Sequence, residues 1–284
     1  MAPGKQPLSG ALAPAAQDAD LERRFGGLRR LYGDSGYQRV RQARVAVVGV
    51  GGVGSWAAEA LARSGVARLV LIDLDHVSES NVNRQVQASG CTLGMAKVQA
   101  LQQRFVDIHP GCEVLLVEDF VSADNWPALL PAAVDVLIDA CDQVSAKTTL
   151  AAWSLAQRVP LVCVGAAGGK RAAQAVEVAD LADTTHDPLL ASLRQRLRKA
   201  GAAPRQGRMG LRCVFSRESV AAPVAAEGTA CETGTTAATD GSLNCHGYGS
   251  SVTVTATFGM VAAGEALAML TGSPAQQSGP EVLL

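Results

Sequence analysis

The chain has 284 residues, 48% of them hydrophobic, with 25 basic against 26 acidic side chains. That much apolar material excludes wholesale disorder and suffices for a large α/β fold. Aromatics make up 4%, too few for an aromatic-rich β-sandwich, and a net charge of −1 excludes a uniformly basic nucleic-acid coat.

Residues 1–20 are rich in Ala, Pro, Gly and Gln and lack both a basic n-region and a continuous apolar stretch. They are expected to form a disordered leader, not a secretory signal. Leu21 to Ala43 carries six Arg and reads as a short basic helical arm. Val-rich runs at Arg44–Val48, Arg68–Ile72, Glu113–Val117, Val134–Ile138 and Leu161–Val164 then predict strands. Between them, Leu93–Ile108 and Ala146–Arg158 predict helices. Strands alternating with helices imply right-handed crossovers. The expected fold is α/β: a Rossmann-like, doubly wound, mostly parallel sheet with helices on both faces and a less regular C-terminal part.

The expected organisation is one domain over 21–284, with a core at 44–180 and the less regular part at 181–284. Toward the last third of the chain, Ala173–Val178 and Leu211–Phe215 are candidate strands. Pro188 to Arg217 holds eight basic residues and no acid. Ala221 to Gly249, rich in Gly, Ala and Thr, predicts a mobile loop. Ser250 to Leu270 has the length of a membrane span. Its Ser/Thr-rich start, its two Gly and Glu265 favour a buried or dimer-interface helix, so no stable membrane span is expected.

The seven cysteines are odd in number, and no two have C-x-x-C spacing. A disulfide framework and a four-cysteine zinc site are therefore not expected, and a reducing, cytoplasmic compartment is. Cys231 and Cys245, in the Gly/Thr-rich loop, are the candidate reactive thiols.

Gly49-Val50-Gly51-Gly52-Val53-Gly54 follows a predicted strand and opens a helix. Gly51 permits close approach of a phosphate to the backbone, and Gly54 permits close packing of helix on sheet. The helix N-terminus offers free N–H groups to an anion. Asp73, nineteen residues past Gly54, stands where a carboxylate can accept ribose hydroxyls. A nucleotide site follows, with NAD and ATP both open. The next residues separate them. Asp75, Asn81, Asn83 and Gln85 are further candidates to line the site, and with them Arg84 and Lys97 bring two cations that hydride transfer hardly needs. Cleavage of ATP between its α- and β-phosphates does need them. Asp142, in the Asp139-Ala140-Cys141-Asp142 turn, supplies a carboxylate suited to Mg2+.

In GVGGVG at 49–54, IDLD at 72–75, SNVNRQ at 80–85, Lys97 and DACD at 139–142, the chain resembles the E1-like adenylating (ThiF/MoeB) superfamily. The resemblance implies a homodimer that uses MgATP to form an acyl-adenylate on a carboxylate. It implies that Asp73 holds the ribose and Asn81 lines the site. Arg84 and Lys97 would contact phosphates, and Asp142 would hold the metal. Gln143 departs from the Asn of many relatives. Some members also send an arginine to the neighbouring subunit from an R-x-x-R arm. Here Gly27 interrupts that pattern, leaving Arg24 and Arg30 as candidates.

Within the superfamily the chain looks most like the tRNA threonylcarbamoyladenosine dehydratase branch. The residues are RFGGLRRLYG at 24–33, GVGSWAAEALARSG at 52–65, DPLLASLRQRLRK at 187–199, CVFSRE at 213–218 and VTATFGMVA at 254–262. This likeness implies ATP-dependent cyclisation of the N6-threonylcarbamoyladenosine (t6A) at position 37 of tRNA. A name used in that branch further implies a cysteine desulfurase system as partner. The competing reading is an adenylyltransferase that activates the C-terminus of a ubiquitin-like or sulfur-carrier protein. The basic run favours tRNA, with Arg194, Arg196, Arg198, Lys199, Arg205, Arg208 and Arg212 as candidate phosphate contacts. Fifteen of the 25 basic residues fall in Leu21–Arg44 and Pro188–Arg217, so the near-zero net charge is a cancellation between segments.

Overall fold

A computed structural model describes residues 20–221 and 248–272. Residues 1–19 of the expected leader and nearly all of the expected loop, with Cys231 and Cys245, lie outside the described residues.

Two helices, α1 (Leu21–Phe25) and α2 (Gly27–Gln42), precede the sheet. The strands are β1 (Arg44–Val48), β2 (Arg68–Ile72), β3 (Glu113–Val117), β4 (Val136–Asp139), β5 (Leu161–Val164), β6 (Val176–Asp180) and β7 (Arg212–Ser216). They form one sheet in the order β3-β2-β1-β4-β5-β7-β6. Every pairing is parallel except β6 with β7. The reversal of order at β1 and β4 places a crevice at the carboxyl ends of those two strands, where open α/β sheets bind ligands.

Both faces of the sheet are covered. Alternation along β1 sends Val45 and Val47 to one core and Ala46 and Val48 to the other. The first core is roofed by α3 (Gly54–Arg63), α4 (Lys97–Ile108) and α7 (Val252–Thr271), and the second by α5 (Val144–Gln157) and α6 (Pro188–Lys199). Helix α4 starts four residues later than the sequence pattern suggests. Residues 93–96 instead run beside His76 and Val77, with Val77 N–H donating to Met95 O at 2.8 Å and Gly94 N–H to Val77 O at 2.9 Å.

The apolar segment near residue 260 is α7, with 44% of its most apolar stretch buried in the fold. It lies against α3 so closely that a Cβ on Gly259 would stand 2.5 Å from Val53 O and 2.8 Å from Trp56 Cβ. Its one acid, Glu265, is 3.3 Å from the Arg212 guanidinium. These contacts account for the segment as a core helix.

The arm folds onto its own chain. Phe25 is buried edge-on against His109 at 4.6 Å, and Arg41 stacks over Phe25. Arg24 donates to the last carbonyls of α4, Asp107 O at 2.8 Å and Ile108 O at 2.9 Å. Arg29 pairs with Glu22 and Asp34, and Arg44 with Asp135. Most of the arm's charge is thus answered internally.

Replacing Gly259 by Val should cost about 1–3 kcal/mol through overpacking, measured by urea unfolding. Gly264→Ala, with open space at its Cβ, should be neutral or gain up to about 1 kcal/mol. Burial, then Arg41 and Arg24, lower the His109 pKa to about 4, so its ring is neutral when folded at pH 7. The unfolded ring titrates near pH 6.5, about the ordinary value. Stability from this group is therefore complete above that pH and is lost as pH falls toward 4. His109→Phe should flatten the fall in unfolding midpoint across this window.

Candidate nucleotide site

The crevice at the carboxyl ends of β1, β2 and β4 deepens into a cavity of about 190 Å3. Its floor is the turn after β1. Gly49 has φ +80°, and a Cβ there would come within 2.9–3.0 Å of Cys141 N and the Ala140 carbonyl group. Only glycine lets the two turns touch backbone to backbone. Gly51 and Gly52 line the cavity. Gly54 does not, being buried at the start of α3, where a Cβ would collide with Gly49 O. Its role is packing.

Asp73, at the end of β2, is 8% exposed and accepts from Val50 N–H at 2.8 Å and Asp75 N–H at 2.9 Å. Burial raises its pKa, with Lys97 and these two N–H groups opposing. Each carboxylate oxygen keeps a lone pair for a further donor.

The late start of α4 puts Lys97 at its first turn, beside Asp75. The Lys97 N–H donates to Asp75 O at 2.9 Å, and Nζ lies 2.6 Å from Asp75 Oδ2. Arg84, also buried, lines the same cavity. Its carbonyl accepts from Trp56 Nε1 at 2.9 Å and from Thr255 Oγ1 at 3.4 Å, which ties it to both α3 and α7. Its guanidinium donates to Ser80 O and Asn83 Oδ1. Two cations thus face a glycine turn.

Asn81 and Gln85 line the cavity, and Asn81 Oδ1 also accepts from Ser78 N–H. Asn83 does not line it; its amide donates to Ser250 O at 3.0 Å and its oxygen serves Arg84. Asp142 is an exposed carboxylate on the opposite wall. Among the described residues no group of three or more His, Cys, Asp or Glu is placed to hold a metal alone. A lone exposed carboxylate beside a phosphate site nonetheless fits Mg2+, which takes one or two carboxylates and completes its shell with phosphate oxygens and water.

Three further features of the site stand outside the residues that the sequence pattern singles out. Phe120, 45% exposed, closes the cavity from the turn after β3. Asp187 caps α6 and also accepts from Ala166 N–H at 2.8 Å, which fixes the 165–168 wall. Beneath Cys141, Lys147 and Asp139 form an ion pair at 3.0 Å with both side chains wholly buried.

The predicted basic surface divides. Arg194 donates to Leu181 O and Thr184 O, and Arg212 pairs with Glu265. Arg198 is half-buried. Arg196, Lys199, Arg205 and Arg208 are exposed. Leu189, at the start of α6, lines the cavity, whereas Lys199 ends the helix about 15 Å further on. None of Arg196, Lys199, Arg205 and Arg208 lines the cavity. In the arm, Arg24 is committed to α4, and Arg30 is exposed.

The model of the ThiF family matches residues 24–283, and the chain belongs to that family. Within it, the chain is 42% identical over 257 residues to the tRNA threonylcarbamoyladenosine dehydratase of Escherichia coli (strain K12), covering 89% of this chain and 96% of the relative. A crystal structure of the E. coli tRNA N6-threonylcarbamoyladenosine dehydratase, TcdA, in complex with ATP superposes with a TM-score of 0.77. It is 38% identical and covers 91% of this chain and 98% of that one. The molybdopterin-synthase adenylyltransferase of E. coli is 36% identical over 127 residues, only 45% of this chain.

Replacing Lys97 by Ala removes a charged hydrogen-bond donor, a loss of about 1.5–3 kcal/mol. ATP affinity should fall by roughly ten- to a hundredfold in calorimetry, with the far-UV spectrum unchanged. Gln in place of Asn83 should change it little.

Proposed function

We propose that the protein is an ATP-dependent tRNA threonylcarbamoyladenosine dehydratase that converts t6A at position 37 of tRNA to its cyclic form. One observation carries the reading: Lys97, Arg84, the 49–52 glycine turn and Asp142 converge on one cavity. The near-complete likeness to dehydratases supports it, whereas the likeness to a carrier-protein adenylyltransferase spans under half of the chain.

In this reading Asp73 takes the ribose hydroxyls and Asn81 the nucleotide's flank. Arg84 and Lys97 draw charge from the α-phosphate and the departing pyrophosphate. Asp142 would hold Mg2+, which supplies further charge neutralisation at the phosphates when bound. The threonyl carboxylate of t6A attacks the α-phosphorus, and pyrophosphate leaves. A nitrogen or oxygen of the same modification then attacks the acyl carbon, and AMP departs with one carboxylate oxygen. The nucleoside loses the elements of one water. Because the attack is intramolecular, its effective molarity is high and no enzyme thiol is needed.

The tRNA backbone would rest on Arg196, Lys199, Arg205 and Arg208, beyond the end of α6. A homodimer would bring an arm arginine to the neighbouring site. Arg30 suits that role better than Arg24, which is engaged in its own chain. Such an enzyme works where tRNA is, in the cytoplasm.

The test incubates t6A-containing tRNA with the protein, ATP and Mg2+, followed by mass spectrometry of the digested nucleosides. A nucleoside lighter by one water, with AMP released, is expected, and Asp142→Asn should slow it by about a hundredfold or more. A folded, ATP-binding protein that leaves t6A intact would sink the reading. Pyrophosphate exchange that depends on a carrier protein ending in Gly-Gly would favour the adenylyltransferase instead. Neutralising Arg196, Lys199, Arg205 and Arg208 should weaken tRNA binding and lower its salt slope by about one for each phosphate that is no longer neutralised.

A further inference from the structure

Lys147, on the inner face of α5, is wholly buried, and no step above uses it. Its Nζ lies 3.0 Å from Asp139 Oδ2, donates to Asp139 O at 3.3 Å and stands 3.7 Å from Cys163 Sγ. The other oxygen, Asp139 Oδ1, accepts from Cys141 N–H at 3.2 Å and from the Cys141 thiol at 2.8 Å. The ammonium therefore holds the carboxylate, and the carboxylate holds the turn that leads to Asp142. That turn also presses its backbone against Gly49.

Stability alone does not explain such a pair. Two charges buried together seldom outperform an apolar pair of the same volume, and one use of such a pair is the geometry it fixes. Here, apart from the Lys147–Cys163 contact, the directional contacts end on 139–141, between the glycine turn and Asp142. We propose that Lys147 is a positioning residue: through Asp139 it sets the height of the 140–142 turn, and so the spacing of the two walls that flank the nucleotide phosphates. This rests on the reading of the cavity as an ATP site.

The test is calorimetric titration of ATP, with Mg2+, into the full chain and its variants. Lys147→Met alone strands a buried carboxylate and is expected to unfold. The charge-free pair Asp139→Asn with Lys147→Met is expected to retain cooperative unfolding. It should nevertheless bind MgATP about tenfold more weakly, a size typical of coupling through a contiguous network. Alkylation of Cys141 should also quicken, since its turn is no longer anchored. Lys147→Arg, which keeps the charge, should recover most of the affinity. A merely structural pair would alter unfolding and leave affinity and alkylation unmoved. A folded charge-free pair that binds MgATP within about twofold of the parent overturns the proposal alone. A parent chain that binds no ATP overturns the nucleotide reading, and this proposal with it.

Discussion

The site depends on one close approach. The turn after β1 and the turn after β4 meet backbone to backbone, because Gly49 has no Cβ to separate them. The start of α3 likewise approaches the carbonyl of Gly49 because Gly54 has none either. Strand order supplies the place, since β1 and β4 are adjacent and parallel and both crossovers leave from their carboxyl ends. Adjacent strands in a parallel sheet always bring such turns near one another. Glycine brings them into contact, and contact lets one cavity draw donors from both sides.

Charge in this molecule is used in two ways. Within the fold, cations close gaps: Arg24 satisfies the end of α4, Arg194 satisfies the Leu181 and Thr184 carbonyls, and Arg212 meets the acid of a core helix. At the end of α6 the cations stay in water, because the helix buries Leu189, Leu190, Leu193 and Leu197 on its other face. A count of basic residues along the sequence does not separate these uses. Segment charge shows where excess lies, and only packing shows which part of it faces a partner.

The strands were legible in the sequence because short, continuous, Val-rich apolar runs between amphipathic stretches leave few other solutions. Arg44–Val48, Arg68–Ile72, Glu113–Val117 and Leu161–Val164 begin and end where the pattern puts them. Residues 93–96 misled because Leu93 and Met95 continue the apolar spacing of the helix behind them. A long-range backbone pairing with His76 and Val77 overrides that local preference. The glycine turn, Asp73, Arg84, Lys97 and Asp142 were legible as a set, since their types and order fit one chemistry. Lys147 was not. A lysine on a predicted helix reads as solvated, and nothing local says that its neighbours in space are Asp139, Cys141 and Cys163.

Those thiols bear on the chemistry itself. Cys141 lines the cavity, where a thiolate would compete for an activated acyl group. Its S–H instead donates to Asp139, and burial beside that carboxylate pushes its pKa well up, so the thiol stays protonated. Cys163 and Cys213 are sealed beneath the sheet. Among the described residues, the cavity therefore presents cations and backbone N–H groups to a nucleotide but no ready nucleophile. An acyl-adenylate formed there would wait for a nucleophile brought by the substrate, which is the circumstance in which ring closure within one modified nucleoside outruns transfer to the protein.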